Sequence, residues 1–344
     1  MKQVMRPRLI LLLMALLAAP GGVAEPAPLR PLFADDAVLE LSLAGPLSAT
    51  FADRETRQPR LFTLRMGSTE VPVEVQVRGK SRARICTFAP LRFDFGPDGA
   101  AGTVFAGQDR LKLVLPCHDS DRAEGDVLEE YAAYRTFNLL SDLSFRVRLV
   151  RIRFIDTDRR DDDPLMERHA FLLESDAELS ARAGRPEARI PAVRRSELAA
   201  DQAATVFIFQ YLVGNTDWSL VTAEGEEACC HNLRLFGAAP PLYAVPYDFD
   251  LAGLVNARYA KPDPSLNIQS VKRRRYRGYC IDPAALETAL VRITTQRDAV
   301  LAASRSLPLF DRKQIEARER YLEGFFEQAE DAPRLLRQFE EQCL

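Results

Sequence analysis

The order of strand-like and helix-like segments predicts an α+β fold with two lobes. Residues 37–174 read as a strand-rich N-terminal lobe with one helix, and residues 175–344 as a mainly helical C-terminal lobe. Two observations favour this division. Apolar and polar residues alternate with period two in the first half, whereas the second half contains long apolar segments with helical spacing.

The alternation that predicts strands is clearest at residues 71–77, where four valines are separated by Pro, Glu and Gln. Residues 91–95 and 145–155 alternate in the same way. Two shorter segments, 110–115 and 170–173, are also predicted strands. Together these segments account for the strand-rich half.

Four segments predict helices. The first, residues 124–140, lies inside the strand-rich half, and the second, residues 198–213, is so apolar that we expect it to be buried. Asp282 followed by proline is a typical helix start, with Asp as the cap and Pro in the first turn. A last helix is predicted over 311–343, with a break near Pro333.

The N-terminus predicts export. Three positive charges precede an uncharged run over residues 9–19, which is too short to span a bilayer. Small residues follow, so residues 1–24 are typical of a signal peptide cleaved after Ala24, with an uncleaved anchor as the alternative. Residues 25–36, rich in proline and alanine, would form a tether. We therefore expect a periplasmic or secreted protein with no transmembrane span after cleavage.

Composition limits the classes of function. The formal net charge of −3 over 344 residues argues against a nucleic-acid-binding protein. An even number of cysteines in an exported chain predicts disulfides, whereas the lack of Cys-x-x-Cys spacing and the presence of only three histidines argue against a metal cluster. We expect Cys86 to pair with Cys117, either Cys229 or Cys230 to pair with Cys280, and Cys343 to take a remaining partner.

Three polar segments carry the candidate chemistry. Asp217 follows the apolar helix, Asn232 precedes a predicted strand, and Asp248 and Asp250 follow another short strand. Phosphoryl transfer uses a carboxylate that orients the attacking hydroxyl, and an Asn and an Asp that hold Mg²⁺ against the phosphates. The order Asp, Asn, Asp is the order found in protein kinases.

These segments resemble the spore-coat CotH family of atypical protein kinases. The resemblance covers roughly residues 70–255 and implies a divergent protein-kinase-like fold with two lobes. It also implies transfer of a phosphoryl group from a nucleotide to a protein or another envelope hydroxyl. The motifs that carry it are Val77-Arg78-Gly79-Lys80-Ser81, Asn215-Thr216-Asp217-Trp218, His231-Asn232 and Val245-Pro246-Tyr247-Asp248-Phe249-Asp250-Leu251-Ala252-Gly253.

By this resemblance, Asp217 would be the catalytic base. Asn232 and Asp248 would bind Mg²⁺ or Mn²⁺, and Asp250 would support the metal site. Lys112 would contact the nucleotide, with ATP as the donor.

Glu129 or Glu130 would be the helix partner of that lysine. Arg78 would also belong to the nucleotide site, and Arg92 or Lys80 would be alternative phosphate contacts.

The chain also departs from the family pattern. Asp217 and Asn232 are 15 residues apart, against about five in an ordinary kinase loop. Ala89-Pro90 replaces the basic pair that the family has there.

These departures keep two other functions open. One is a catalytically inactive kinase-like module for binding or assembly. The other is a metal-dependent glycosyltransferase that uses Asp248-Phe249-Asp250 as an Asp-x-Asp metal site. The site carboxylates also have structural interpretations, since Asp217 could cap a turn and the other two could pair with arginines.

A basic run after the metal-site segment suggests where an acceptor binds. The run would normally be a solvated surface, but its position corresponds to the substrate-binding segment of kinases. An acidic or phosphorylated acceptor is therefore expected near Lys272, Arg273, Arg274 and Arg275.

Overall fold

The structure is a computed structural model that describes residues 28–96, 100–159, 164–221 and 229–344. The first part of the chain forms a closed β-barrel. Its strands follow the order β1-β2-β3-β4-β5-β7-β6, and β6 returns to β1. They are β1 (Leu39–Gly45), β2 (Arg60–Met66), β3 (Thr69–Val77), β4 (Leu91–Asp94), β5 (Arg110–Val114), β6 (Val147–Asp156) and β7 (Met166–Leu173).

Closure of the barrel depends on one parallel pairing. Strands β1 and β6 run in the same direction, with Leu39 opposite Val150 and Gly45 opposite Asp156. The other neighbours are antiparallel. Because closure pairs the outer strands with each other, the sheet has no free edge.

The helices lie mainly after the barrel in the chain. In the described residues they are α1 (Leu47–Ala52), α2 (Ser81–Ile85), α3 (Asp121–Leu140), α4 (Asp176–Ala183), α5 (Ala200–Val213), α6 (Pro283–Thr295), α7 (Arg297–Arg305), α8 (Arg312–Ala329) and α9 (Ala332–Gln342). A small antiparallel sheet, β8 (Leu233–Phe236) and β9 (Tyr243–Pro246), lies between α5 and α6 in the chain.

Helix α5 is the centre of the second part. Every residue from 203 to 213 is buried, as expected for a helix that is apolar on all sides. The helix ends at Gly214, whose φ of 65° is the left-handed conformation that glycine adopts without strain. Helix α6 begins as predicted, because the Asp282 carboxylate accepts a hydrogen bond from the Ala284 amide at 3.0 Å.

The apolar side chains form two separate cores. One fills the barrel and includes the alternating valines of β3. The other is built around α5, from α3, β9 and the C-terminal helices. Helix α3 contacts β6 and β7 on one side and α5 and α7 on the other, so it joins the barrel to the helical part.

The predicted two-lobed protein-kinase-like fold is wrong. Residues 37–174 do not form an open lobe sheet but a closed seven-stranded barrel. The alternation in the sequence identifies strands but contains no information about the parallel β1–β6 pairing, which joins residues more than a hundred positions apart. Individual elements agree better: 198–213 corresponds to α5, and the break near Pro333 falls between α8 and α9.

All six cysteines form disulfides. The predicted Cys86–Cys117 bond is confirmed. The predicted bond from Cys229 or Cys230 to Cys280 is wrong, because those two neighbours bond to each other and Cys280 bonds to Cys343. Three disulfides are typical of a protein in an oxidising compartment.

The C-terminal disulfide follows from a backbone pairing beside it. The backbone around Leu344 pairs with residues 278–280, since the Cys280 amide donates to the Leu344 carbonyl at 3.2 Å and the Leu344 amide to that of Gly278 at 2.9 Å. This pairing brings Cys343 beside Cys280.

The N-terminal predictions fall partly outside the described residues. The proposed signal peptide, 1–24, lies wholly outside them. Part of the predicted tether is instead packed on the barrel, because Leu32 and Phe33 are buried in a short 3₁₀ turn. Among the described residues, no helix has the length and apolar character needed to cross a bilayer.

Candidate active site

Three chain segments meet at the C-terminal end of α5. The Gly253 amide donates to the Gly214 carbonyl at 3.0 Å, which brings the segment after β9 back alongside the end of the helix. Ser219 and His231 exchange two backbone hydrogen bonds of 3.0 Å. The Asp217, Asn232 and Asp248 segments of the sequence analysis are therefore neighbours.

The side chain of Asp217 is held through both of its carboxylate oxygens. Asn232 Nδ2 donates to Asp217 Oδ2 at 2.9 Å and to its carbonyl at 2.7 Å, and His231 Nε2 lies 3.1 Å from Oδ1. The Asp217 amide donates to Asn215 Oδ1 at 2.9 Å, so the turn is fixed as well. The Asp217 side chain remains about one-third exposed, at 36%, and is accessible to an acceptor.

Asn232 and Asp248 lie at the same end of the β8–β9 hairpin. Leu233 pairs with Pro246, and the Tyr247 amide donates to the Asn232 carbonyl at 3.1 Å. Asp248 follows directly and is anchored to α3, because its amide donates to the hydroxyl of Tyr134 at 2.8 Å. Asn232 Nδ2 already donates to Asp217, so the side-chain oxygen of Asn232 is the atom left to coordinate a cation.

Asp250 is a buried carboxyl of the site. It is 7% exposed and accepts a hydrogen bond of 3.0 Å from the Tyr259 hydroxyl. Burial, and then the nearby charge of Asp248, raise the pKa of Asp250 to about 7. A cation beside Asp248 and Asp250 would favour the ionised form of Asp250.

Asn232, Asp248 and Asp250 carry oxygen groups of the kind that a divalent cation such as Mg²⁺ takes as ligands, usually with one or two protein carboxylates. In the described part of the chain, no three His, Cys, Asp or Glu side chains are arranged to hold a metal. The candidate set is therefore two carboxylates and one amide oxygen, with other positions left to solvent or substrate.

Buried cations stand next to these carboxylates. Arg82 Nη1 lies 3.5 Å from Glu130 Oε2, and its Nη2 donates to the Leu115 carbonyl at 2.6 Å. Burial raises the pKa of Glu130 well above its usual range. Burial also lowers the pKa of Arg78, although Asp248 opposes this shift. Arg78, Arg82, Lys80, Glu130 and Asp248 line one small cavity.

Lys112 has a different partner from the one expected. Its Nζ lies 3.5 Å from Asp176 Oδ2 and 5.7 Å from the Tyr247 ring centre. Burial lowers its pKa, and the nearby charges of Arg78 and Arg234 lower it further against the effect of Asp176. The positive charges of Lys112, Arg78 and Arg234 repel one another, so a bound anion would stabilise them.

The expected ion pair of Lys112 with Glu129 or Glu130 is therefore wrong. Glu130 pairs with Arg82, and Glu129 lies 3.8 Å from Arg318 Nη1. Arg92 lies opposite Lys112 in the barrel and donates to Gln76 Oε1 at 2.9 Å. Arg92 and Lys112 line a cavity of about 440 Å³.

Sequence reasoning missed three groups. Arg82 and Tyr259 contact the buried carboxylates, and Arg277 borders Asp217. Arg277 Nη1 donates to the carbonyl of Thr216. The basic sequence at 78–82 was a signal for Arg82, and the continuation of the basic run past residue 275 was a signal for Arg277.

The basic run itself divides into two roles. Arg274 is turned inward, stacks on Tyr321 at 4.1 Å and donates to the Leu212 carbonyl. Lys272, Arg273 and Arg275 are exposed. Arg277 lines a cavity of about 220 Å³ with Asp217, His231 and Lys261.

Comparison of the chain with protein-family models and with curated proteins gives no match. The resemblance to the CotH family stays a prediction made from the motifs. The chemistry of the site is therefore inferred from its geometry and charge.

Proposed function

We propose that this protein is an exported phosphotransferase that moves a phosphoryl group from a nucleotide to a hydroxyl group of a periplasmic or secreted acceptor, with Mg²⁺ or Mn²⁺. The observation that carries the proposal is the fixing of the one-third-exposed Asp217 by Asn232 and His231, beside the buried Asp250 and the partly buried Asp248. The resemblance of these residues to atypical kinases of the CotH family supports the same chemistry.

Asp217 would act on the acceptor. With both oxygens hydrogen-bonded, its carboxylate has a fixed direction, so it can orient a hydroxyl and accept its proton as the oxygen attacks phosphorus. The proton passes from the acceptor oxygen to Asp217, and the phosphoryl group passes from the donor to that oxygen.

Asn232, Asp248 and Asp250 would hold the cation. The cation supplies charge neutralisation to the transferring phosphates when bound. The contribution of the chain is to keep these oxygens together in a buried place, where Tyr134 fixes the Asp248 backbone and Tyr259 orients Asp250.

Arg78 and Lys112 would bind the phosphates of the donor, with ATP as the expected nucleotide. Both are partly buried cations whose pKa values are lowered by desolvation, so a bound anion would restore favourable charge interactions. Arg92, on the neighbouring strand, would extend this cationic surface.

The acceptor would be a protein or another envelope hydroxyl that carries an acidic group. The cavity beside Asp217 is bordered by Lys261 and Arg277, which would contact such a group while the hydroxyl faces Asp217. Arg277, rather than the basic run 272–275, is the expected acceptor contact nearest to Asp217.

The test is transfer of labelled phosphate from ATP by the purified chain with Mg²⁺ or Mn²⁺, to itself or to an extract of envelope proteins. We expect metal-dependent transfer that Asp217→Asn reduces by at least about a hundredfold, the usual scale for a lost general base. The matched control is Asp298→Asn, an exposed carboxylate in the first turn of α7.

Absence of transfer together with metal-dependent ATP binding would favour a non-catalytic binding module instead. Consumption of a nucleotide sugar in place of ATP would favour the glycosyltransferase interpretation of Asp248 and Asp250.

A further inference from the structure

A further polar cavity lies behind the site, between α3, α8 and the segment that leaves Asp250. Its volume is about 340 Å³. One wall is the segment 253–256, whose first residue is hydrogen-bonded to Gly214 at the end of α5. Asp217 does not line it, and the proposed transfer chemistry does not use it.

The charges around this cavity are mainly positive. Arg122, Lys272, Arg318 and Arg320 line it, and the acidic side chain among its lining residues is Glu129. Burial raises the pKa of Glu129 to about 8, even with Arg318 beside it. Burial therefore favours the protonated form of Glu129, which weakens its negative charge.

Two of these cations already have partners. Arg122 lies 3.1 Å from Asp126 and donates to the Asn256 carbonyl at 2.7 Å, and Arg320 lies 3.9 Å from Glu316 at the surface. Arg318, in the interior, also lies near a carboxylate, 3.8 Å from Glu129 Oε1, and Lys272 is at the exposed rim.

Arg318 is buried with unused hydrogen-bonding capacity. Its side chain is 4% exposed, lies over the Phe310 ring at 3.7 Å, and donates from Nη2 to the Ser304 carbonyl at 2.8 Å. Its Nη1 has no hydrogen-bond partner among the described residues, with Glu129 Oε1 at 3.8 Å. A buried guanidinium nitrogen in this state is costly unless a ligand satisfies it.

The Tyr321 hydroxyl is a second orphaned donor. Tyr321 lines the same cavity one helical turn from Arg318, and its hydroxyl, which packs against Gly214 and Gly253, is likewise buried without a hydrogen-bond partner in the described chain. Two unsatisfied donors on one wall, with a lysine at the rim, match the needs of a compact oxyanion.

We propose that this cavity is a binding site for a tetrahedral oxyanion, such as the phosphate group of a small metabolite or free phosphate. Arg318 Nη1 and the Tyr321 hydroxyl donate to its oxygens, and Lys272 adds positive charge at the entrance. The occupant contacts the 253–256 segment, which connects the metal-site carboxylates to α5.

The site can be tested with inorganic phosphate by hydrogen–deuterium exchange of the full chain. We expect phosphate to protect amides in 253–256 and 312–321, with a dissociation constant that rises about tenfold in Arg318→Lys, because lysine keeps the charge but loses the fork of donors. Tyr321→Phe should weaken the same protection while keeping the ring on which Arg274 stacks.

Two controls separate this site from the proposed nucleotide site. Lys112→Gln should leave the protection of 253–256 and 312–321 unchanged, and so should Arg275→Gln, which removes an exposed charge of the same basic run. Protection that is absent in the wild type, or that survives in both Tyr321→Phe and Arg318→Lys, overturns the proposal. Tyr321→Phe keeps the test decisive if Arg318→Lys does not fold. A neutral polyol must also bind about tenfold more weakly than phosphate under the same conditions for the site to be one for oxyanions.

Discussion

Replacement of Asp250 by asparagine tests the electrostatics of the site without any assumption about substrate. Burial and Asp248 raise the pKa of this carboxyl from 3.8 to about 7, so the folded protein holds the proton more tightly than the unfolded chain. The stabilisation is complete below about pH 4 and is lost as the pH rises toward 7. Asparagine has no proton to lose and avoids this loss.

The magnitude follows from the size of the pKa change. At about 1.4 kcal/mol for each pKa unit, the rise in the pKa of Asp250 corresponds to at most about 4 kcal/mol of unfolding free energy. Relative to wild type, Asp250→Asn should gain stability between pH 4 and pH 7 and hold that gain at pH 8. The asparagine oxygen can still accept the Tyr259 hydrogen bond, so little packing is lost.

The assay is urea unfolding of both proteins from pH 4.5 to 8.5. Burial also raises the pKa values of Glu129 and Glu178, to about 8 and about 7. These two groups make both proteins less stable as the pH rises, so their effects cancel in the stability difference between wild type and variant. Addition of MgCl₂ at pH 8 should stabilise the wild type and much less the variant. A stability difference that does not change with pH would refute the reasoning.

Three further predictions concern the fold and the acceptor. Alanine at both Cys86 and Cys117 should lower the unfolding free energy by about 2–4 kcal/mol by chemical denaturation, because their bond closes a loop within the barrel; an unchanged midpoint would contradict this. Gly214→Ala should lower the melting temperature, because an L-residue is strained at φ 65° and its Cβ would overlap a tyrosine hydroxyl; a higher melting temperature would count against the role of this turn. Arg277→Gln should raise the KM for an acidic acceptor at least severalfold while Arg275→Gln does not, and equal effects would remove the assignment of Arg277.

The parts of the fold that depend on local pattern were predictable. Helix α5 follows from an apolar segment with a glycine at its end, and the start of α6 follows from Asp282 and the proline after it. The Cys86–Cys117 bond was predictable because each cysteine follows a strand-like segment of the first half. For the two helices, the cause lies within a few residues of the feature.

The parts that depend on long-range pairing were not predictable. The parallel contact of β1 with β6 closes the barrel, and alternation cannot specify which strand pairs with which. The Cys280–Cys343 bond depends on the backbone pairing of Leu344 with residues 278–280. Both features bring together parts of the chain that are far apart in sequence.

The site shows the same division. The order Asp217, Asn232, Asp248 was visible in the sequence, and in the structure these residues are neighbours because two short backbone pairings bring their segments together. The partners of the cations were not visible. Arg82, rather than Lys112, pairs with Glu130, because the turn after β3 places its guanidinium against α3.

The most direct test of the proposed function is the binding of ATP to three proteins by calorimetry, with and without Mg²⁺. We predict that the wild type binds ATP only with the metal, that Asp217→Asn binds with nearly the same Kd, and that Asp248→Ala loses at least about tenfold in affinity. Under the proposed function, Asp217 would act on the acceptor and Asp248 on the metal, so the two variants should differ while melting at similar temperatures. A wild type that binds no ATP with Mg²⁺ or Mn²⁺, or an Asp248→Ala variant that binds it as well as the wild type, would contradict a metal-dependent phosphotransferase at this site.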